Sequence, residues 1–295
     1  MLLAVPNFSE GRDARRIEAI STAFATGAGL LDTHSDRVHN RSVVTLSGAA
    51  GSLAGALVNG AQACVGEIDM SKHDGAHPCI GALDVCPVVW LTEGDREAAR
   101  EEALTAARQI GTEARVPVFL YGDLAPHRSH RERAFFRAGG PVELRRRVDG
   151  GELRPDFGPS ELHPTAGATL VTARSPLAAF NVELADVDIA VAREIAARLR
   201  QSGGGLDGVR AIGIDLGDGR TQVSTNVHDP AAVPLAMVVE RIRELAAAHG
   251  TTPLTAEIVG VVPECALDAW PGDIPLMGFD PAKHVIERRI RVHGG

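Results

Sequence analysis

The order of apolar and polar positions divides the chain into short elements that recur. Met1 to Phe8 is an apolar run ending in Pro-Asn-Phe, which predicts a strand and its exit turn. From Gly11 to Thr26, Ile17, Ile20 and Phe24 fall at helical spacing, and Gly27 supplies a stop. Leu30 to Asp32 predicts a buried strand, and the β-branched run Arg41 to Leu46 another. Ser52 to Val65 predicts an Ala- and Leu-rich helix with Ser52 as its cap. Val85 to Leu91 is apolar throughout and predicts a buried strand or its approach.

The second half repeats this order. Leu177 to Leu184 predicts a strand, and Asp186 is placed to cap a helix running to Leu199, with Ile189, Ala192, Ile195 and Leu199 on one side. Gly203 to Gly205 end it. Val209 to Leu216 and Thr221 to Val227 predict two strands, Pro234 to Ala248 a helix with Val238, Ile242 and Leu245 inward, and Thr255 to Val262 a closing strand. Each half therefore runs strand, helix, strand, strand, helix, strand. That order predicts an α+β fold of two ferredoxin-like (βαββαβ) units, each with both helices on one face of its sheet. The division falls at 1–176 and 177–295. The first half carries an extra helix, Asp95 to Ile110, and an extra strand, Val116 to Tyr121; the Gly- and Pro-rich stretch Gly139 to Ala168 lies between the halves as a long connection.

A chain of 295 residues suits two units of ordinary size. No apolar run approaches the roughly 20 residues that span a bilayer. The opening MLLAVPNFSEGR has no charged leader region, so no signal peptide is expected. Cys64, Cys79, Cys86 and Cys265 form no Cys-x-x-Cys pair, which predicts reduced thiols and a cytoplasmic protein. A net charge of −8 argues against broad nucleic-acid binding. Lys72 and Lys283 are the only lysines.

Chemistry concentrates in Ser71 to Val89, SKHDGAHPCIGALDVCPVV. His73 and His77 are four apart, but Gly75, Pro78 and Gly81 oppose a helix there. A zinc set of His73, His77, Cys79 and Cys86 matches no standard Cys/His spacing, so no metal is expected. A histidine in a polar loop that leads into a buried strand is well placed to take and return a proton near neutral pH. Two further polar clusters are DTHSDRVHNR, Asp32 to Arg41, between two strands, and DFGPSELHPTAG, Asp156 to Gly167, whose backbone N–H groups can line a ligand. No P-loop, Rossmann or G-x-S-x-G signature occurs.

VPNFSEGR, HNRSVVTL, IDMSKHDGAHPCIGALDVCPVV, VPVFLYGD, PDFGPSELHPTAGATLVTAR, AFNVEL and QVSTNVHD follow one another in an order that resembles the glutamate formiminotransferases. These are the formiminotransferase domains of formiminotransferase–cyclodeaminase and their free-standing bacterial relatives. The resemblance runs from Val5 to about Ile290, and a free-standing form without a cyclodeaminase domain is expected. It implies transfer of a formimino group from N-formimino-L-glutamate to N5 of tetrahydrofolate, with folate as co-substrate and no metal. It implies a tunnel between the sheets of the two units, and a homodimer. The second histidine of the family's DMS-basic-H-x-G-x-H-P motif is catalytic, which maps to His77. The family's folate segment maps to Gly158, Pro159, Ser160, Glu161, Leu162, His163, Pro164, Thr165, Ala166 and Gly167. This chain departs from a compared member in having Ala166 for a tryptophan and His34 for an acid.

On this resemblance, Asp74 or Asp84 is a candidate to orient the imidazole. Lys72, Arg41 and Arg174 are candidates for the carboxylates of glutamate and folate, and Asn40 and Asn226 for the amidine or pterin. Two rival functions are a transferase using a formyl donor and a catalytically silent folate-binding relative.

Overall fold

Pro6 divides the first apolar run into two strands, β1 (Leu2–Ala4) and β2 (Asn7–Phe8), because proline has no N–H to give to a ladder. The computed structural model describes residues 1–217 and 219–293; the last two residues of the expected second unit lie outside them. The chain separates into two units, Met1–Ser175 and Pro176–Gly295. The first continues with α1 (Ala14–Ala25), β3 (Gly29–Asp36), β4 (Arg41–Gly48), α2 (Leu53–Glu67), β5 (Leu83–Trp90), α3 (Arg96–Gln109), β6 (Val118–Leu120), α4 (Arg133–Arg137), α5 (Gly140–Asp149) and β7 (Thr169–Arg174). The second contains β8 (Ala178–Leu184), α6 (Ile189–Leu199), β9 (Val209–Gly217), β10 (Arg220–Val227), α7 (Leu235–Ala247), β11 (Pro253–Ile258), α8 (Pro281–His284) and α9 (Ile286–His293). The molecule is thus a mixed α+β protein built on two sheets.

In the first sheet β1 and β2 lie end to end between β4 and β5, β3 pairs with β4, and all of these run antiparallel to their neighbours. β7 is added parallel to β5, and β6 parallel to β7. Side-chain alternation along the strands gives the sheet two covered faces. One buries Leu2, Ala4, Phe8, Val44, Leu46, Cys86 and Val88 beneath α1, α2 and α3. The other buries Val85, Phe119, Tyr121 and Leu170 beneath Phe136 of α4 and Leu144 and Val148 of α5. The stretch 139–168 is therefore not a loop throughout. Pro141 sits in the first turn of α5, and Leu144 and Val148, four apart, bury one side of it.

The second sheet is antiparallel in the order β11-β8-β10-β9. Phe180, Val182, Val223, Val227 and Ala256 meet Ile195 and Leu199 of α6 and Val238 and Ile242 of α7 on one face. Asn226 belongs to the opposite face by alternation. Gly213 allows the close crossing of α6, since a Cβ there would press on the backbone at Ala192 and Arg193.

Two helix starts differ from expectation. Asp186 has φ +43°, a left-handed turn that cannot enter a helix, and Asp188 is the cap, accepting from the N–H groups of Ala190 (2.8 Å) and Val191 (3.2 Å). Ser52 precedes α2 without capping it; its hydroxyl donates to the Ala49 carbonyl. The free N–H groups of Gly51 and Ala54 are taken by the buried carboxylate of Glu102 on α3, which satisfies a helix end and a buried charge together. Among the described residues no helix is long and apolar enough to cross a membrane.

Candidate active site

The loop between α2 and β5 is fastened at several points. Asp69 opens a short 3-10 turn, Met70–Lys72, by accepting from the Ser71 N–H at 3.0 Å. The Met70 N–H donates to the Thr165 carbonyl at 2.7 Å and the Ala76 N–H to the Val38 carbonyl at 3.1 Å. Asn40, at φ +48°, accepts from the Gly11 N–H at 2.9 Å and donates from Nδ2 to the Asp74 carbonyl at 3.0 Å. Its amide is thereby engaged in holding the loop. Gly75 sits so close to the His39 carbonyl and Asn40 that a Cβ would not fit.

His77 stands half-buried at the end of this loop. Its Nδ1 lies 2.8 Å from the Pro78 carbonyl oxygen. A carbonyl only accepts, so Nδ1 carries the proton and Nε2 presents its lone pair. Desolvation, then the guanidiniums of Arg41 and Arg137, hold its pKa well below the usual histidine value, against the opposing pull of Asp84. The ring is a neutral base near pH 7. His39, buried and 5.9 Å away between ring centroids, has a lowered pKa for the same first reason.

Asp84 occupies a bulge: β2 opposes Val85 and Leu83 but leaves Asp84 without a partner across the ladder. Its carboxylate is fully buried and saturated. Oδ1 accepts from the Ile80 N–H at 2.8 Å, and Oδ2 accepts from Arg41 at 2.6 Å and from Arg137. Burial alone would raise its pKa; Arg137 and Arg41 outweigh burial and hold it far below the carboxylate range. Arg41 also donates twice to Asn7 Oδ1 (3.2 and 2.9 Å). Of the two aspartates considered as orienters, Asp74 is 94% exposed, 3.9 Å from Arg12, and Asp84 serves the arginines. The group that fixes the His77 tautomer is the Pro78 carbonyl. Lys72 is exposed and paired with Asp69 at 3.0 Å.

The segment 158–167 divides in two. Gly158, Pro159, Ser160 and Glu161 line an open cleft of about 680 Å³ together with Arg145, Asp149 and Arg154. Leu162 is buried in the core beneath α5. From His163 to Gly167 the chain makes a tight turn in which the His163 and Gly167 backbones exchange hydrogen bonds at 3.0 Å. His163 Nδ1 accepts from the N–H groups of Ala166 (2.9 Å) and Thr165 (3.3 Å), with Pro164 at the exposed tip. This turn pairs with the His77 loop through a Gly81–Gly167 bridge, and the Ala82 N–H donates to the Ala166 carbonyl at 2.9 Å. The Ala166 side chain is 1% exposed in the first core, so in this chain position 166 offers no open surface for stacking. His34 lies on β3 opposite Val43.

Gly167 is at φ +68°, and a Cβ there would press into the Ile80 carbonyl. Gly167→Ala is expected to lower stability by about 1–3 kcal/mol and to slow turnover by displacing the loop, read by denaturant unfolding and initial rates.

Cys86 is buried in the first core, and among the described residues no three His, Cys, Asp or Glu side chains are grouped to hold a metal ion. The four cysteines are free thiols.

Several groups at the site escaped the sequence reading. Arg137 and Arg133 come from α4, four residues apart on one side of it, and Tyr121 follows β6. Arg133 lies over the Tyr121 ring at 6.0 Å. The spacing of two arginines around Phe135 and Phe136 was the available signal: buried Phe136 turns that side of the helix toward the sheet.

Comparison with known proteins agrees with this architecture. A family profile described as the formiminotransferase domain, N-terminal subdomain, matches residues 1–174, and one described as the formiminotransferase domain matches 179–270. The chain is 36% identical to a glutamate formimidoyltransferase of Streptococcus pyogenes serotype M1, over 97% of each chain. It is 35% identical to one of Thermoplasma acidophilum, over 97% of this chain and 96% of that one. It is also 37% identical to the formimidoyltransferase-cyclodeaminase of Mus musculus, over 89% of this chain and 50% of that one. A solved microcompartment protein from Desulfitobacterium hafniense aligns at 12% identity with a TM-score of 0.23, covering 88% of this chain and 93% of that one, and carries no argument. With both profiles matched in order and more than a third of positions shared along nearly its whole length, the chain belongs to the formiminotransferase family.

Proposed function

We propose that the protein is a glutamate formimidoyltransferase, moving the formimino group of N-formimino-L-glutamate to N5 of tetrahydrofolate, with His77 as its general acid and base. The observation that carries the mechanism is the His77 ring itself: a neutral imidazole with Nδ1 tied to the Pro78 carbonyl and Nε2 left as the basic atom. As N5 attacks the amidinium carbon, the new N–C bond forms and Nε2 takes the proton from N5. The C–N bond to glutamate then breaks, and Nε2–H gives that proton to the departing nitrogen. Proton transfer of this kind contributes about 10²- to 10⁴-fold in rate.

In this proposal the segment 158–167 binds folate: its first part lines a cleft with Arg145 and Arg154, and its second part pairs with the His77 loop. Arg41 and Asp84 act as a fixed charged support beneath the imidazole, Asn40 shapes the loop, and Lys72 and Asp74 offer exposed charges at its rim. The finer architecture belongs to the same proposal: two ferredoxin-like units divided at 176/177, a tunnel between their sheets, a homodimer and a cytoplasmic location. The order β11-β8-β10-β9, and the corresponding order of β5, β1/β2, β4 and β3, support the ferredoxin-like part.

Purified protein is to be given tetrahydrofolate with N-formimino-L-glutamate or with N-formyl-L-glutamate, and the folate product followed by absorbance. Turnover with the formimino donor and at least a hundredfold less with the formyl donor is expected. Equal or faster formyl transfer would make it a formyltransferase, and folate binding without turnover of either donor would make it a silent binder.

A further inference from the structure

The second face of the first sheet gathers three guanidiniums near one carboxylate, with a fourth beside them. Arg41 comes from β4, Arg133 and Arg137 from one side of α4, and Arg174 from the end of β7; the carboxylate is Asp84. Arg41 and Arg137 share Asp84 between them. Arg133 and Arg174 have no carboxylate within ion-pair distance among the described residues. Arg133 rests over the Tyr121 ring, and Arg174 donates to the Ser175 carbonyl at 2.8 Å. Both are half-buried. Arg137 adds a buried Nε with no hydrogen-bond partner among the described residues.

Unpaired cations held together out of bulk water repel one another and lose hydration, so a fold retains them at a cost unless an anion completes them. Desolvation lowers the pKa of Arg174 to about 10, and the neighbouring charge of Arg133 adds to that effect. Arg133 is lowered by burial first and then by Arg137 and Arg41. A planar guanidinium matches a carboxylate with two parallel N–H donors. The buried Tyr121 ring lies beneath the Arg133 guanidinium and holds it in place.

We propose that Arg133, held over the buried Tyr121 ring, and Arg174 form a clamp for a glutamyl carboxylate. The identification of the ligand as glutamyl rests on the transfer reaction proposed above; the binding of a dicarboxylate does not. Two substrates of that reaction carry a glutamyl group, the amino-acid donor and the tail of the folate, and the clamp serves one of them.

The full-length protein is to be titrated calorimetrically with glutarate and with glutaramide, its uncharged counterpart. Glutarate is expected to bind, glutaramide to bind at least tenfold more weakly, and added salt to weaken only the former. Arg133→Gln and Arg174→Gln are each expected to weaken glutarate at least tenfold, with Arg133→Lys intermediate. Their thermal midpoints are expected to be unchanged or higher, because repulsion between the cations is relieved. In turnover, a rise in KM for N-formimino-L-glutamate alone assigns the clamp to the donor, and a rise for tetrahydrofolate alone assigns it to the folate tail. Glutarate and glutaramide binding alike to the wild-type protein would overturn the clamp, as would Gln variants that bind glutarate normally. Should the protein transfer no formimino group, the glutarate titration still decides the clamp. Should the Gln variants not fold, the wild-type comparison of the two ligands decides it.

Discussion

His77→Ala is expected to lower kcat for formimino transfer by about 10²- to 10⁴-fold while leaving folate binding, measured by calorimetry, within a few fold of the parent. Nothing among the described hydrogen bonds of the fold depends on this ring beyond its own link to Pro78, so the thermal midpoint should barely move. The pH dependence follows from the same surroundings. Desolvation, Arg41 and Arg137 hold the imidazole neutral to well below its usual pKa of about 6.5. A base works above its pKa, so activity should persist through pH 6.5 and fall only as the solution becomes acidic enough to protonate Nε2. A kcat/KM profile with its acidic limb at or above pH 6.5, or a His77→Ala variant turning over at the parent rate, would remove His77 from the mechanism.

Asp84→Asn should have the largest effect on stability. The carboxylate is fully buried and is the shared counter-charge of Arg41 and Arg137. Removing one side of a buried ion pair leaves the other charge uncompensated, at about 3–5 kcal/mol. Denaturant unfolding at pH 7 should report a loss of that order, and the acidic limb of any residual activity should move to lower pH, since Asp84 raises the His77 pKa. The sign with pH is fixed by the depressed pKa. The stabilisation is complete above the unfolded carboxylate value of about 3.9 and is lost as pH falls below it. The gap between parent and variant should therefore narrow in acid. A variant as stable as the parent at pH 7 would mean the two arginines find another counter-charge.

Much of the fold was legible because local pattern and burial agreed. Ile20 and Phe24 in α1, and Val238, Ile242 and Leu245 in α7, are buried as their spacing predicts. The failures have local causes. Asp186 and Asp188 are equally good caps on paper, and only the left-handed turn at Asp186 separates them. The helix α5 was hidden by flanking glycines and by an exposed Val142, which spoils its apolar stripe. Ser52 lost the capping role to Glu102, fifty residues further along, and no local pattern announces that pairing.

The site divides along the same line. His77 was marked by its motif, whereas Arg133, Arg137 and Tyr121 were not, because an arginine in a sequence carries no sign of whether it will meet water or a buried carboxylate. By itself the sequence determined the strands and helices of the doubled strand–helix order and the family, since these follow from periodicity and from residues that are neighbours along the chain, but not α4, α5, α8 or α9. The tertiary structure alone decided the charge state of the imidazole, the bulge that turns Asp84 toward two guanidiniums, and the surplus of positive charge beside them. Those properties depend on distance and on loss of water between residues far apart in sequence, and both are set only when the sheet closes and α4 lies across it.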